Sequence, residues 1–362
     1  MHASADPIEA ISQRLASFVA AQRLAWADAG PETQVFLDAA TRTLSGGKRL
    51  RARFCVTGWR AVANAGGDAK EIPDAVLDAA AALEVFHAAA LVHDDIIDNS
   101  DTRRGQPAAH RALEAAHAAS GWAGDGSAFG RSAAILLGDL LVAWSDDLLE
   151  QGLAHASHAA SAREVYALMR REVTIGQFLD IAEEAAFTTA PDEEHADRAL
   201  RVASLKSARY SIQHPLLLGA ALAGADAAQS AALAGFGHPL GLAFQLRDDV
   251  LGVFGDSAVT GKPSGDDLRE GKRTLLVAYT REGLTTDARA ALDTLIGDPT
   301  LTAEQIAHIQ ESIVATGALE RVESAITAYA AEAEQALRDA RLSPSAVDEL
   351  RELAEASISR TA

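Results

Sequence analysis

Apolar residues recur with a helical period along almost the whole chain, and no segment keeps the apolar–polar alternation typical of a half-buried strand. Alanine dominates the 48% of hydrophobic residues, and there are only 10 prolines, a balance that favours helices. No shift in composition marks a linker, so residues 1–362 are expected to form one large all-α domain. Turn-forming segments separate the predicted helices, which cover about 8–27, 33–44, 48–64, 74–97, 106–118, 131–151, 161–185, 205–223, 229–254, 272–282, 286–295, 303–315, 318–340 and 344–358.

The net charge of the chain and the length of its apolar segments limit which partners it can bind and in which compartment it is expected. The net charge is −19, and such a chain is repelled by nucleic acid and by anionic membranes. The N-terminus lacks a basic segment leading into an apolar one, and the longest apolar stretch, about 75–93, is interrupted by Asp78, Glu84 and His87. The single cysteine, Cys55, has no disulfide partner in the chain. We therefore expect a cytoplasmic protein without a nucleic-acid partner or an integral membrane segment.

A polar stripe interrupts the apolar face of the helix predicted over 74–97. Asp94 and Asp98 are one turn apart, about 40° around the axis, and His87 lies about 20° from Asp94 on the same side. Polar side chains on the inward face of a bundle helix need partners, commonly a metal ion or a ligand. For this segment alone, a solvated helix end capped by arginines is the alternative interpretation.

A second acidic pair lies in the helix predicted over 229–254. Asp248 and Asp249 stand among apolar positions, and Gln245 precedes Asp248 by three residues on the same face. Two carboxylate-bearing helices that face each other repel unless cations lie between them. Oxygen ligands favour Mg²⁺, which uses one or two carboxylates together with substrate phosphates and water. The two pairs predict a Mg²⁺ site that is completed by a phosphorylated substrate.

Clustered cations are informative in so acidic a chain. The segment 45–51 places two glycines before Lys48, Arg49 and Arg51 at the start of a helix, an arrangement that binds anions. A glycine-containing loop at 261–274 adds Lys262 and Lys272, and the segment 204–210 adds Lys206, which by itself is more typical of a surface position. Together with the acidic pairs, these segments predict two anion sites in an apolar helical barrel, suited to two phosphorylated, otherwise apolar substrates.

These motifs resemble those of the trans-isoprenyl diphosphate synthases, or polyprenyl synthetases, over essentially the whole chain. The matching elements are GGKRLR at 46–51, DDxxD at 94–98 followed by RRG at 103–105, Lys206-Ser207, FQxxDD at 244–249, and Lys262. The resemblance implies a single large helical bundle of the isoprenoid synthase type around a central apolar cavity. It also implies a homodimer that condenses isopentenyl diphosphate with an allylic diphosphate by Mg²⁺-dependent ionisation, condensation and proton loss.

The resemblance assigns roles to individual residues. Asp94, Asp98 and Asp248 are implied ligands of a cluster of three Mg²⁺ ions, with Asp95 and Asp249 as supporting acids. The implied contacts to the allylic diphosphate are Arg103, Lys206, Ser207, Gln245 and Lys262, with Lys272 in the same loop as Lys262. The implied isopentenyl diphosphate site is Lys48, Arg51, His87 and Arg104. The catalytic set implied in this way is Asp94, Asp95, Asp98, Asp248, Asp249, Lys206 and Lys262.

The chain departs from the family pattern in two motifs and one insert. The last position of the second acidic motif is Gly252 where an aspartate is common, and Asp256 follows one turn later. Ser207 replaces a more usual threonine and keeps the hydroxyl group. The glycine-rich insert at 120–130 has no derived role. Because the family attributes its third metal ion to the first aspartate of the second motif, activity is expected to survive.

The resemblance also bears on product length, because bulky residues before the first acidic motif stop the growing chain. The fourth and fifth positions before Asp94 are Ala90 and Ala89, and the next large side chain is Phe86, about 12 Å along the helix axis. These residues favour a C20 product, geranylgeranyl diphosphate, with C25–C40 chains as the alternative. Phe86 could instead simply face the core.

Two other classes of protein share part of this pattern and are the alternatives to this interpretation. A class I terpene cyclase shares DDxxD but would need a different second metal motif and would have no use for GGKRLR. A non-catalytic subunit of a heteromeric prenyl synthase typically loses the acidic motifs, whereas this chain keeps both apart from Gly252.

Overall fold

The structure, a computed structural model, describes residues 6–67, 70–255 and 264–359, and most of these lie in helices. The α-helices are α1 Pro7–Ala25, α2 Pro31–Leu44, α3 Leu50–Ala63, α4 Asp74–Ile97, α5 Ala109–Ala119, α6 Gly126–Leu153, α7 Ala159–Ala186, α8 His195–Val202, α9 His214–Leu222, α10 Ala227–Phe254, α11 Asp266–Glu270, α12 Leu275–Gly283, α13 Thr286–Leu295, α14 Ala303–Ala315, α15 Ala318–Ala336 and α16 Pro344–Ile358. A π-helix, Ala203–Gln213, joins α8 to α9, and two 3₁₀ turns, Phe187–Thr189 and Asp192–Glu194, lead into α8. The predicted all-α fold is confirmed.

A two-stranded hairpin corrects the prediction that a helix begins at residue 106. Strands β1 (Thr102–Arg103) and β2 (Gln106–Pro107) pair in antiparallel register. Arg104 and Gly105 both have positive φ, 54° and 71°, as the two central residues of the favoured hairpin turns do. Helix α5 therefore starts only at Ala109. The hairpin turns the chain back just after α4 and leaves the two arginines beside the end of that helix.

Helix α4 forms the centre of the largest core. Most of its side chains are buried, and it packs most extensively against α6. Among the described residues it is the one helix long and apolar enough to cross a membrane, yet 72% of its most apolar window is buried inside the protein. The carboxylate of Asp78, within this window, pairs with Arg14 of α1 at 3.0 Å. The apolar length of α4 is thus accounted for by core packing.

The insert at 120–130 forms a local aromatic cluster and the first turn of α6. The ring of Phe129 lies 5.3 Å from that of Trp122 and 5.0 Å from that of His117. Asp125 caps α6 by accepting hydrogen bonds from the backbone N–H groups of Ser127 and Ala128. The insert therefore folds onto the end of α5 and moves the start of α6 to residue 126, five residues before the predicted start.

Helices α3 and α9 cross in backbone contact at Gly219. A Cβ atom added to Gly219 would lie 1.8 Å from the carbonyl oxygen of Cys55 in α3. Cys55 is fully buried, and burial raises the pKa of its thiol to about 12. The crossing brings α3, whose first turn carries Arg51, against the helix that follows the π-helix.

The substitution Gly219→Ala tests this crossing. We expect it to lower the free energy of unfolding by about 1–3 kcal/mol, because overpacking outweighs the helix propensity gained, about 1 kcal/mol. Urea unfolding followed by circular dichroism measures the change. Gly66→Ala is the matched control, since no atom lies within 4 Å of the added carbon. Equal stability of the two variants would contradict the close crossing.

Candidate active site

A central cavity of about 1110 Å³ runs between the ends of several helices. Pockets for a single drug-sized ligand occupy about 300–1,000 Å³, so this volume exceeds the need of one small substrate. The walls come from α4, α7, the π-helix and α10, and the rim from the segment before α3, the hairpin and the segment after α11. Fourteen of the predicted site residues line it: Lys48, Arg51, His87, Ala90, Asp94, Asp98, Arg103, Arg104, Lys206, Ser207, Gln245, Asp248, Asp249 and Lys272.

Two lysines lie among carboxylates at one end of the cavity. Lys272 Nζ donates to Asp98 Oδ2 at 2.8 Å and to Asp180 Oδ2 at 3.3 Å. Lys206 Nζ donates to Asp180 Oδ2 at 2.5 Å and lies 3.4 Å from Asp94 Oδ1. These contacts join α4, α7, the π-helix and the segment after α11 through opposite charges. We name Asp94, Asp98, Asp180, Lys206 and Lys272 the charged cluster.

The charged cluster stabilises its own ionised forms. Burial raises the pKa of Asp94, but the neighbouring charges of Lys206, Lys272 and Arg103 outweigh it, and the net effect is a pKa below the usual value. Burial lowers the pKa of Lys206, yet Asp94 and Asp180 raise it above its usual value. The pKa of Lys272 is raised in the same way, against burial, by Asp180 and Asp98. Asp94, Lys206 and Lys272 are thus each stabilised in the charged form by their neighbours.

Two residues of α7 belong to this end of the cavity and were not predicted. Asp180 is the shared acceptor of both lysines, and Gln177 Nε2 donates to Asp94 Oδ1 at 2.9 Å. Both line the cavity together with Val173. Val173, Gln177 and Asp180 are spaced i, i+4, i+7 along α7, which is the inward stripe of a helix. Polar residues on that apolar stripe were the signal by which the sequence could have revealed them.

The π-helix places a further group of residues on the cavity wall. Lys206, Ser207, Tyr210 and Ser211 all line the cavity from this segment. Such wide helical turns often occur at functional sites. Lys206 was predicted only within an ordinary helix over 205–223, and α8, which precedes the π-helix, was not predicted. The aromatic Tyr210 was not among the predicted site residues.

The opposite side of the cavity is cationic and centres on Tyr210. The Arg51 guanidinium carbon lies 4.3 Å from the centroid of the Tyr210 ring, and Arg51 Nη2 donates to Ser211 Oγ at 2.7 Å. His87 Nδ1 lies 3.2 Å from Tyr210 Oη. Burial, together with nearby charges including Arg51 and Arg104, holds the pKa of His87 well below its usual value. His87 is thus a neutral imidazole between arginines.

The hairpin brings its two arginines to different parts of the cavity. Arg103 Nε donates to Asp95 Oδ1 at 2.8 Å, and Arg103 Nη2 lies 3.7 Å from Asp94 Oδ2. Asp95 is only 3% exposed and does not line the cavity, so its buried carboxylate positions the Arg103 guanidinium from outside the cavity. Gly47 lies against the guanidinium of Arg104, which brings the GGKRLR segment beside the hairpin.

Known proteins share this sequence pattern and this architecture. The family model described as Polyprenyl synthetase matches residues 33–313. This chain belongs to the polyprenyl synthetase family. A geranylgeranyl diphosphate synthase of Mycobacterium tuberculosis is 37% identical over 270 residues, covering 75% of this chain and 66% of the relative. A geranylfarnesyl diphosphate synthase of Aeropyrum pernix is 33% identical over 289 residues, covering 79% of this chain and 81% of the relative.

One solved structure is similar to this chain over almost its entire fold. It is the crystal structure of a geranylgeranyl pyrophosphate synthase from Corynebacterium glutamicum complexed with isoprenyl diphosphate and magnesium. That protein is 41% identical, the match covers 98% of each chain, and the TM-score is 0.91. The predicted isoprenoid synthase-type bundle and the resemblance to this family are therefore confirmed.

The second acidic motif of this family member lies on α10. Asp248 lines the cavity, and Asp249 is buried beside it. Burial raises the pKa of Asp249 to about 8, with Asp267 and Asp248 adding to the effect, while a 2.7 Å hydrogen bond from Gln245 Nε2 opposes it. Burial thus favours the protonated form of the Asp249 carboxyl. Two residues predicted near this motif, Asp256 and Lys262, lie outside the described residues.

The cavity offers a small set of carboxylate donors for a metal ion. Among the described residues, no group of three or more His, Cys, Asp or Glu side chains is close enough to hold a metal ion by itself. The carboxylates of Asp94, Asp98 and Asp248 line one cavity but lie on two helices. Such a sparse, oxygen-only set fits Mg²⁺, which typically binds through one or two carboxylates, several waters and substrate phosphates. A metal ion here needs a phosphate-bearing partner.

The residues predicted to control product length lie on α4, on the N-terminal side of Asp94. Ala90 lines the cavity, whereas Ala89 and Phe86 are buried behind its wall. The Phe86 ring packs edge-on against Tyr210, with centroids 5.9 Å apart, and against Tyr166 of α7, 6.3 Å away. We name Phe86, Tyr166 and Tyr210 the aromatic triad. Tyr166, which comes from another helix, was not predicted.

Proposed function

We propose that the chain is a trans-prenyltransferase that condenses isopentenyl diphosphate with an allylic diphosphate of C5 to C15, giving geranylgeranyl diphosphate. The observation that carries the proposal is one cavity lined by two chemically different groups of charged and polar side chains. One group is the charged cluster together with Asp248, and the other is Lys48, Arg51, His87 and Arg104. The family relatives named for the same reaction class support the assignment.

The charged cluster is assigned to the allylic diphosphate. We place Mg²⁺, in a cluster of three ions, on Asp94, Asp98 and Asp248, and bound Mg²⁺ supplies electrostatic stabilisation of the departing diphosphate. Lys206 and Lys272 already lie within hydrogen-bond distance of those carboxylates or of their neighbour Asp180. Their ammonium groups, with Arg103, therefore bind and orient the diphosphate oxygens. Ser207, Gln245 and Lys262 complete the proposed set.

The cationic side is assigned to isopentenyl diphosphate. Burial raises the pKa of Tyr210 to about 12, so its hydroxyl stays protonated and can donate to His87 Nδ1. The proton of neutral His87 then resides on Nε2, where it can donate to a diphosphate oxygen. Lys48, Arg51 and Arg104 supply the positive charge. The allylic carbon forms its new bond with the isopentenyl double bond, and the released diphosphate accepts the proton lost afterwards.

The organisation of the chain supports one enzyme domain. Residues as distant in sequence as Gly47 and Ser359 line the same cavity, and we propose that 1–362 is a single domain.

The cytoplasm is the proposed compartment, because the helix with the length of a membrane span is buried in the core. A homodimer is the proposed assembly.

The first experiment supplies the purified chain with isopentenyl diphosphate and each of the C5, C10 and C15 allylic diphosphates. We expect diphosphate release that requires Mg²⁺ and stops on chelation, with a C20 alcohol recovered after phosphatase treatment. Asp94→Asn should lower the rate by about 100-fold or more, because it weakens the binding of the Mg²⁺ that stabilises the leaving group. Asp287→Asn, the same change on an exposed turn of α13, is the control. No turnover with any of the three pairs would favour the non-catalytic subunit.

Substitutions on α4 test the product length. Ala90→Phe adds a ring to the cavity wall and Ala89→Phe adds one directly behind it, so both should shorten the main product below C20. Mass spectrometry of the extracted alcohols measures the distribution. Ala160→Phe places the same ring at an exposed position of α7 and should leave the product unchanged. An unchanged C20 product from folded, active Ala90→Phe would refute the proposed path of the growing chain, and a wild-type product of C25–C40 would establish the longer-chain alternative.

An exposed apolar surface on α6 and α7 supports the homodimer. Leu136 is 61% exposed, Ile175 is 53% exposed and Phe178 is 67% exposed. Contiguous exposed apolar residues commonly mark interaction surfaces. Leu168, Ile175, Phe178 and Ile181, all at least 40% exposed, follow one side of α7. A second copy of the chain is the partner that covers this surface in the proposal.

Phe178→Glu tests the homodimer. Placing a charge in the surface should convert a dimer into a monomer in light scattering coupled to gel filtration, because an unpaired buried charge is strongly disfavoured. Val314→Glu is the matched control, since Val314 is an exposed apolar residue of α14, 57% exposed. A wild-type chain that elutes as a monomer at micromolar concentration would contradict the homodimer.

A further inference from the structure

A second polar stripe of α7 lies outside the cavity, on the side of the π-helix. Glu172, Gly176 and Glu183 are spaced i, i+4, i+11 and therefore lie within about 40° of one another around the helix axis. Neighbouring residues of a helix differ by about 100°, so this stripe is separate from the inward one that carries Gln177 and Asp180. We name Glu172, Gly176 and Glu183 the outer stripe of α7.

The middle of the outer stripe is in backbone contact with the π-helix. A Cβ atom added to Gly176 would lie 2.3 Å from the backbone nitrogen of Lys206. From α10, a Cβ atom added to Gly241 would lie 2.4 Å from the Ala208 carbonyl oxygen. Both contacts are with backbone atoms, which cannot move aside in the way that the end of a flexible side chain can. The π-helix is thus packed closely against both α7 and α10.

Glu172 joins α7 to the end of the π-helix and to the start of α9. Arg209 Nη1 donates to Glu172 Oε1 at 2.7 Å, and His214 Nε2 donates to Glu172 Oε2 at 2.7 Å. The buried Arg209 Nε and His214 Nδ1 have no hydrogen-bond partner among the described residues. The Glu172 carboxylate therefore orients both of these side chains.

The other glutamate of the outer stripe contacts α8, before the π-helix begins. Arg198 Nη2 lies 2.7 Å from Glu183 Oε1, and Arg198 Nε donates to Glu183 Oε2 at 2.9 Å. Glu183 thus holds α8, whereas Glu172 holds the end of the π-helix. The two glutamates form similar ion pairs on one stripe but fix different parts of the same segment.

The end of the π-helix that Glu172 holds carries residues of the cationic side. Arg209 directly precedes Tyr210, whose hydroxyl contacts His87 and whose ring contacts the Arg51 guanidinium. Ser211 Oγ accepts a hydrogen bond from Arg51 Nη2 at 2.7 Å. A shift of this end of the π-helix would therefore move two side chains that position Arg51 and His87.

The earlier part of the π-helix has contacts of its own. Lys206 Nζ donates to Asp180 Oδ2 at 2.5 Å, and the Lys206 backbone lies against Gly176. Neither contact involves Glu172. Loss of the Glu172 contacts should therefore disturb the cationic side and leave the charged cluster in place.

We propose that Glu172 is a positioning residue for the isopentenyl diphosphate site, acting through Arg209 and His214 on the part of the π-helix that carries Tyr210 and Ser211. The inference rests on the proposed function and adds to it a residue that does not line the cavity. Small displacements matter in such a site, because misplacing a group by about 1 Å can cost on the order of 100-fold.

Calorimetry on the full-length chain tests the proposal without relying on turnover. The chain is titrated with isopentenyl diphosphate alone and, separately, with a C10 allylic diphosphate and Mg²⁺. We expect Glu172→Ala to weaken isopentenyl diphosphate binding by about tenfold and to leave binding of the allylic diphosphate within about twofold of the wild type. Glu164→Ala, the same change at an exposed position of α7, is the matched control and should bind both ligands as the wild type does.

Two further variants separate positioning from a general loss of stability. Glu172→Gln keeps the length of the side chain and one acceptor oxygen, so it should weaken isopentenyl diphosphate binding by only about threefold. Glu183→Gln disturbs the ion pair with α8, so it should lower the stability to urea but change isopentenyl diphosphate affinity by less than about twofold. Circular dichroism verifies that each variant is folded.

The outcomes distinguish this inference from the proposed function. If folded Glu172→Ala binds isopentenyl diphosphate as tightly as the wild type, Glu172 has no positioning role and the inference is wrong. Equal weakening of both ligands, or an equal effect of Glu183→Gln, would show a general structural role and would also overturn it. A wild-type chain that binds neither diphosphate would instead overturn the proposed function.

Discussion

The arrangement of the cavity depends on two ammonium groups placed among carboxylates from different helices. Lys206 and Lys272 share Asp180 as an acceptor, and each also lies beside an aspartate of α4. An isolated buried charge costs several kcal/mol in desolvation, and removing one partner of a buried pair is strongly destabilising. Each charged group therefore needs its partners to stay in place. These ion pairs fix the positions of α4, α7, the π-helix and the segment after α11 relative to one another at this end of the cavity.

The same alternation of charge explains how a chain with a net charge of −19 can accept an anionic substrate. The carboxylates alone would repel a diphosphate, and the lysines alone would bind any phosphate without a metal ion. A diphosphate that carries divalent cations offers partners to both sets of groups at once, since its oxygens match the ammonium groups and its cations match the carboxylates. In the proposed function, the mixed charge of the cluster therefore favours the metal-bound diphosphate over the free one.

The helical period of apolar residues predicted most of the fold, because each long helix buries a stripe of apolar side chains along its own length. The predicted bounds of α4, α13 and α14 agree with the structure at both ends. Helix α8 was missed because it has only eight residues and buries just His195 and Ala199. The hairpin was missed because it depends on two positive φ values, which a hydrophobic period does not report.

The site was predictable where polar residues interrupt an apolar helix within a motif, as at Asp94 and Asp248. It was not predictable where the partner comes from a distant element. Gln177 contacts Asp94 across 83 residues of sequence, and Asp180 accepts from Lys272 across 92.

Tyr210 connects the cationic side of the cavity with the aromatic packing around Phe86. Its hydroxyl contacts His87, and its ring contacts both the Arg51 guanidinium and the edge of Phe86. Phe86 in turn packs against Tyr166, whose hydroxyl contacts Ser145, and Ser145 Oγ donates to the Ala82 carbonyl oxygen on α4 at 2.6 Å. The aromatic triad is thus linked by hydrogen bonds to α4 and α6, and its Tyr210 ring also contacts the cationic side. In the proposed function, one ring therefore contributes both to the isopentenyl diphosphate site and to the packing behind the α4 wall.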